Sequence, residues 1–264
     1  AICARVVVAQ DDGLWILSSE GRVMSDDVLH RHRTVWQQKP VLRRLYEDWY
    51  REIVAWLVPG HTVELGGGTG NLKEYVPTVC CTDVVMLPWL NVVADAQRLP
   101  FQSESLGNLV LFDALHHIEN VTLFFDEAQR ALRVGGRIVV MDPYISWASW
   151  PIYRWLHSEP VDCLEDPLVF KPQRADRVPF DANQAIATTL FEQNQPQFHS
   201  RYPRLAVQHI RRMACAAYPL SGGFDHPSLL PQWMVMPMLR VEPMLERLGH
   251  LLAFRMLIVI ERQP

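Results

Sequence analysis

The sequence predicts an α/β fold, a single domain with embellishments, on three observations. Four glycines fall within the five positions 66–70, between a short β-branched and apolar run at 61–65 and a helix-compatible stretch from Leu72. Further short apolar runs follow at 79–85, 91–94, 106–112 and 137–142, with a helical stretch at 124–132 between the last two. Strands alternating with helices indicate a mostly parallel sheet. The chain has 264 residues, 49% of them apolar, enough to bury a full core.

The glycine stretch reads as strand, tight turn and helix. Glycine tolerates positive φ at little cost and lets a ligand approach the backbone with no Cβ in the way. The spacing is Glu64-x-Gly66-x-Gly68-x-Gly70. A dinucleotide fingerprint, G-x-G-x-x-G, would put its third glycine where Asn71 stands. A phosphate loop needs Gly-Lys-Ser/Thr, whereas Asn71 and Leu72 follow Gly70. The Glu64 carboxylate at the mouth of the strand suits a ligand carrying an ammonium and a sulfonium, and would repel a pyrophosphate. In this acid-plus-glycine motif the chain resembles the class I S-adenosylmethionine-dependent methyltransferases, specifically the type 11-like enzymes that act on small molecules.

Composition narrows the setting. The net charge is −4, which gives no basic footprint for nucleic acid. The five cysteines (Cys3, Cys80, Cys81, Cys163, Cys215) form no C-x-x-C pair, and their odd number argues against a disulfide framework, so a reducing cytoplasm is the simplest location. No apolar run approaches the roughly 18 residues of a transmembrane helix; residues 251–260 are interrupted by Arg255. The first twenty-odd residues lack the features of a signal peptide. Met24 followed by Ser25, Asp26 and Asp27 reads as an ordinary protein start, so residues 1–23 are expected to be an extension without a role in the fold.

Taken in order, residues 26–57 are rich in helix formers and are divided by Pro40. Leu42, Leu45, Tyr46, Trp49, Ile53 and Trp56 recur at helical spacing and form one buried stripe. After the glycine turn, residues 72–75 should open a helix whose unpaired N–H groups can receive the carboxylate of an amino-acid ligand, with Pro77 stopping it early. Asp83 ends the second strand, nineteen residues past Glu64, where nucleotide-binding α/β folds read a ribose diol. Asp95 and Ala96 follow the third strand in the segment Asp95-Ala96-Gln97-Arg98-Leu99-Pro100-Phe101. It resembles the family's adenine-binding segment, which implies a carboxylate and a backbone N–H on the base.

The fourth strand runs into Phe112-Asp113-Ala114-Leu115-His116-His117, much like the Leu-His-His that ends this strand in many small-molecule methyltransferases. The passage 133–136 is the glycine-terminated exit of a helix, with Val134 where the family commonly has proline. Residues 143–180 hold Trp147, Trp150, Tyr153, Trp155 and many prolines, too long and too aromatic for a linker, and read as a lid. Helical character resumes at 181–191, a strand is plausible within 205–218, Ser221-Gly222-Gly223 marks a turn, 237–248 has apolar helical spacing, and 254–261 reads as a last strand.

The resemblance therefore implies a seven-stranded Rossmann-like methyltransferase sheet, mostly parallel with the last strand antiparallel, helices on both faces and a lid insertion after strand 5. The expected organisation is an extension at 1–25, N-terminal helices at 26–58, the methyltransferase domain at 59–145 and 181–264, and a lid or substrate cap at 146–180. The resemblance also implies S-adenosyl-L-methionine as cofactor, held by Glu64, Gly66, Gly68, Gly70, Asn71, Asp83, Asp95, Ala96, Phe112 and Asp113. The implied reaction is in-line methyl transfer to a small-molecule acceptor, with neither nucleic acid nor a membrane span involved.

The cofactor is already activated, so positioning does most of the work and a base is optional. His117 or His116 is the candidate base, because an ordinary imidazole can accept a proton at neutral pH. Tyr144, Asn183 and Gln184 are placed to contact the acceptor, and no metal site is expected. A non-catalytic module that binds the cofactor or its product is the alternative of a different class. An NAD-dependent oxidoreductase is disfavoured by Asn71 and the intact Asp95 segment.

Overall fold

The computed structural model describes residues 19–172 and 181–264, with side chains from residue 27 onward. Of the expected extension, residues 1–18 lie outside the described residues, as do residues 173–180 of the expected lid. Two helices lead in, α1 (Ser19–Gln38) and α2 (Pro40–Ala55). They part at Pro40, which has no N–H to donate and so stands at the first position of the second helix. The stripe of α2, Leu42, Leu45, Tyr46, Trp49 and Ile53, is buried.

The strands are β1 (Thr62–Leu65), β2 (Cys80–Asp83), β3 (Val92–Val93) and β4 (Leu106–Phe112). After α3 (Val121–Ala131) come β5 (Leu132–Pro143) and α4 (Ser149–Leu156). Next are α5 (Ile186–Thr188), continuing into a π-helical turn over Thr189–Gln193, α6 (Gln195–Arg201) and β6 (Leu205–Met213). The chain closes with α7 (Ala217–Ser221), α8 (Val235–Leu245) and β7 (Arg255–Arg262). The sheet order is β3-β2-β1-β4-β5-β7-β6, and β7 is antiparallel to both of its neighbours while the other pairs are parallel. The seven strands and the single reversed one match the expected architecture.

Successive side chains of a strand point to opposite faces, and the central strands are apolar at nearly every position because both faces are covered. Leu109, Leu111, Ile138, Val140, Ile258 and Ile260 pack with Phe124, Phe125, Phe191 and Phe198 on one side. Val110, Phe112, Val139, Met141, Leu257 and Val259 pack with α2, α7 and α8 on the other. Each such side chain contributes about 1.5–3 kcal/mol on burial.

Three local expectations are corrected. The helix expected at 72–75 is a single 3-10 turn, Asn71–Glu74; with Pro77 close behind and β2 starting at Cys80, the chain has no room for more. That turn is too short to present a helix N-terminus to a ligand carboxylate. Residues 133–136 are not an exit loop but part of β5, where Gly135 at φ +74° sits in a register irregularity opposite β4. The helix expected from Asp181 begins only at Ile186. Among the described residues no helix is long and apolar enough to cross a membrane.

Candidate active site

The carboxyl ends of the parallel strands share one edge of the sheet, and β7, running the other way, brings its first residue, Arg255, to the same edge opposite Pro143. Between β1 and β2 lies the glycine turn. Gly66 has φ +65° and Gly70 has φ +73°, both in the region that favours glycine. A Cβ on Gly66 would stand 2.7 Å from that of Ala114, so this glycine also lets the turn approach the end of β4. Gly67 donates to the Thr82 carbonyl at 2.8 Å, pinning the turn to β2. Asn71 is buried, and its side chain hydrogen-bonds Tyr50 of α2.

Glu64, Asp83 and Asp95 follow one another along this edge. Glu64 is buried, accepts a hydrogen bond from the Cys81 thiol at 2.9 Å, and is pushed up to about 7 by burial, against the lowering effect of that bond. Asp83 accepts the Gly68 N–H at 3.0 Å and the Val85 N–H at 3.2 Å, and burial raises its pKa. It is therefore the clasp between the second strand and the glycine turn. Asp95 comes next in space, since Ala94 N–H donates to the Asp83 carbonyl at 2.9 Å; its Oδ1 accepts the Gln97 N–H at 2.8 Å. Ala96 packs against the core. Trp89, which sequence reasoning did not single out, donates from its indole to the Gly68 carbonyl at 2.8 Å and lies 3.0 Å from where a Cβ on Gly70 would be.

At the end of β4, Phe112 is buried with its ring 5.0 Å from Tyr50 and 5.1 Å from Tyr46. Asp113 takes φ +54°, a conformation few residues other than glycine, Asn and Asp tolerate. Arg255 holds it there by an ion pair; the guanidinium also donates to Tyr218 Oη at 2.9 Å and lies 5.1 Å from the Trp49 ring. Arg255 and Tyr218 escaped the sequence reading. A charged residue at the head of an apolar last strand was the available signal, because an unpaired charge does not stay buried.

The two histidines begin a second cluster. His116 is buried with Nδ1 2.9 Å from Asp142 Oδ1, at the end of β5, and Nε2 3.4 Å from Glu159 Oε2. His117 Nε2 is 3.8 Å from Glu159 Oε1, and its Nδ1 lies 3.4 Å from the Asp181 carbonyl. Burial alone would lower the pKa of His116, but Asp142 and Glu159 outweigh it and lift the group to about 10. Burial and the neighbouring His116 push His117 down to about 4. Glu159 is held down to about 2, the histidines outweighing its burial. At neutral pH His116 already holds its proton, and His117 is the neutral imidazole of the two.

Gln184 joins this cluster by donating from Nε2 to Glu159 Oε2. Asn183 donates its N–H to the His116 carbonyl at 2.9 Å and its Nδ2 to Glu165 at 3.0 Å, bracing the loop that carries Glu159. Tyr144 pairs elsewhere, donating to Glu192 at 2.9 Å. Glu159 was not foreseen, since a single acid in an irregular segment has no spacing to mark it. A separate cleft of about 120 Å³, lined by Trp49, Glu52, Arg211, Tyr218 and Glu246 among others, shares no lining residue with the glycine turn or the histidines.

Strand order, one reversed strand and a glycine turn at the carboxyl edge define an α/β fold of the class I methyltransferase type. Residues 63–140 match the family model described as a methyltransferase domain. The chain is 26% identical over 141 residues to the ubiquinone/menaquinone biosynthesis C-methyltransferase UbiE of Paracoccus denitrificans, covering 43% of this chain and 55% of that protein. It thus spans about half the length of this curated relative. Among solved structures, an S-adenosylmethionine-dependent methyltransferase from Archaeoglobus fulgidus is similar with a TM-score of 0.53 at 14% identity, over 87% of this chain and 98% of that one. A protein from Thermotoga maritima described as a possible histamine N-methyltransferase gives 0.52 at 12% identity, over 92% and 100%. Both likenesses are of fold.

Proposed function

We propose that the chain binds S-adenosylmethionine at the glycine turn and transfers its methyl group to a small-molecule acceptor. The observation that carries this reading is Glu64, a buried carboxylate whose hydrogen-bond donor is a thiol and whose charge is destabilised by burial. A cationic ligand beside it would supply the missing countercharge. Asp83 and Asp95 would hold the ribose and the adenine amine, with Gly66, Gly68, Gly70, Asn71 and Ala96 presenting backbone and Phe112 and Asp113 bounding the methyl end. When bound, the cofactor supplies an activated methyl group.

The protein's share is to hold donor and acceptor in line and to exclude water, which can supply up to roughly 7–11 kcal/mol of the barrier. Residues 146–172 carry Glu159 onto the histidine pair and cover that end of the edge. Arg255, through Asp113, keeps the backbone after β4 in its left-handed turn. Of the two histidines, His117 is the one able to take a proton from an acceptor, since His116 holds its own. Incubation with labelled S-adenosylmethionine and a panel of phenols, quinols, amines and small acids tests the reading. The expected outcome is S-adenosylhomocysteine released only when an acceptor is present; cofactor binding with no turnover across the panel would favour a non-catalytic module.

A further inference from the structure

We propose that His116, His117 and Glu159 form a binding site for a first-row divalent cation of the zinc class, at the end of β4 and separate from the cofactor residues. Among the described residues these three are the group whose ligand atoms all lie within 4.8 Å of one another. The separations argue for an ion between them. His116 Nε2 and Glu159 Oε2 are 3.4 Å apart and His117 Nε2 and Glu159 Oε1 3.8 Å, whereas a charge-assisted hydrogen bond closes to about 2.7–2.9 Å. Zinc bonds of about 2.0–2.2 Å at the tetrahedral angle place neighbouring ligand atoms about 3.4 Å apart.

The surroundings are those of a metal site. A ligating imidazole usually gives its other nitrogen to a carboxylate or a backbone carbonyl, which fixes the tautomer and turns the ring. Both histidines do so: Nδ1 of His116 faces Asp142 at 2.9 Å, and Nδ1 of His117 faces the Asp181 carbonyl at 3.4 Å. Both Nε2 atoms are left pointing at the same carboxylate. Gln184, 2% exposed, touches that carboxylate through Nε2 and keeps Oε1 buried without a hydrogen-bond partner, a further oxygen donor at the cluster. Asp142 Oδ2 is likewise buried and unpartnered. Two carboxylates around two imidazoles leave negative charge that a dication neutralises, and two nitrogens with one oxygen suit zinc and its neighbours over magnesium or calcium.

Binding replaces the Nε2 proton of His116 with the metal and releases that proton to solvent, while Nδ1–H stays on Asp142. On the methyl-transfer reading, the cation's open position would take an acceptor oxygen, and His117, with Nε2 on the metal, could take a proton from the acceptor only in the metal-free chain; the metal site itself does not depend on that reading. The test is a Zn²⁺ titration by calorimetry and thermal melting on the tag-free, chelator-stripped chain, with Mg²⁺ in parallel and Co²⁺ absorption as a coordination readout. One equivalent of Zn²⁺ is expected to bind and to raise Tm, with a four- or five-coordinate Co²⁺ spectrum. His117→Ala and Glu159→Gln should weaken Zn²⁺ at least tenfold while keeping the circular dichroism of the parent, and Asp142→Asn should weaken it about 10–100-fold. Absence of stoichiometric Zn²⁺ binding overturns the proposal. So does binding unchanged in Glu159→Gln, or Mg²⁺ binding as tightly as Zn²⁺. S-adenosylmethionine titrated separately keeps a failure here distinct from a failure of the cofactor assignment.

Discussion

The middle of the sheet and its β2–β3 flank are built on different terms. β4, β5 and β7 are covered on both faces, with Phe124, Phe125, Phe191 and Phe198 fully buried against them. The flank that carries Glu64, Asp83 and Asp95 has a single 3-10 turn between β1 and β2 and no helix between β2 and β3. Its own apolar cluster is Leu29, Val85 and Leu87, with Trp89 and Leu90 against it. Val63, Leu65, Val92 and Leu72 tie the flank to the main core, and polar clasps are added to them: Asp83 on Gly68, Trp89 on Gly68, and the Lys73 ammonium on the Trp89 carbonyl. Hydrophobic burial alone fixes the fold in the middle, while the edge adds carboxylates tied to backbone groups and a thiol.

Five substitutions sharpen or break this contrast. Phe125→Ala in the middle should lower the unfolding free energy by about 3–5 kcal/mol in urea melts. Leu29→Ala in the flank should cost about 2 kcal/mol, at the low end for leucine truncation; equal costs at both sites would erase the distinction. The next effect is one of pH. The folded-state pKa of Glu64, about 7, lies above the unfolded value of 4.5, so the unfolded chain ionises first. The Glu64 contribution to the stability of the ligand-free protein should then fall as pH rises from about 4.5 to about 7 and stay flat above, by up to roughly 3 kcal/mol. Glu64→Gln should remove that slope in denaturation curves taken across the window, and an unaltered slope would mean that Glu64 is solvated or already paired.

Smaller effects are expected at the clasps. Asp83→Asn should weaken S-adenosylmethionine about 10–100-fold in equilibrium dialysis, the equivalent of one charge-assisted hydrogen bond of about 1.5–3 kcal/mol. Trp89→Phe removes the indole donor to Gly68 and trims the ring that packs on Leu29, Val85 and Leu87, and the lost donor should cost about 1 kcal/mol. A loss of several kcal/mol there would make Trp89 a core residue of the flank.

The sheet was legible in the chain because its strands carry their own signal. Residues 106–112 are apolar at five of seven positions and form β4 with those bounds, and the acid-plus-glycine spacing at 64–70 marks the turn. The shape of the crossovers was less legible: a stretch of helix-compatible residues after Gly70 says nothing of how few residues separate the turn from β2. Glu64, Asp83 and Asp95 were visible because each lies at or beside the end of one of three successive strands. Glu159, Asp142 and Arg255 were not, since each gains meaning only from partners distant in sequence: Glu159 from the histidines, Asp142 from His116, and Arg255 from Asp113 across the sheet edge.

The central claim is that the three strand-tip carboxylates surround one adenosyl-methionyl ligand. Calorimetric titration of S-adenosylmethionine and S-adenosylhomocysteine into the full chain, Asp83→Asn and Asp95→Asn tests it directly. One site per chain for both ligands, weakened by each substitution with the fold intact, is the expected result. No binding by the full chain, or binding indifferent to both substitutions, would contradict it.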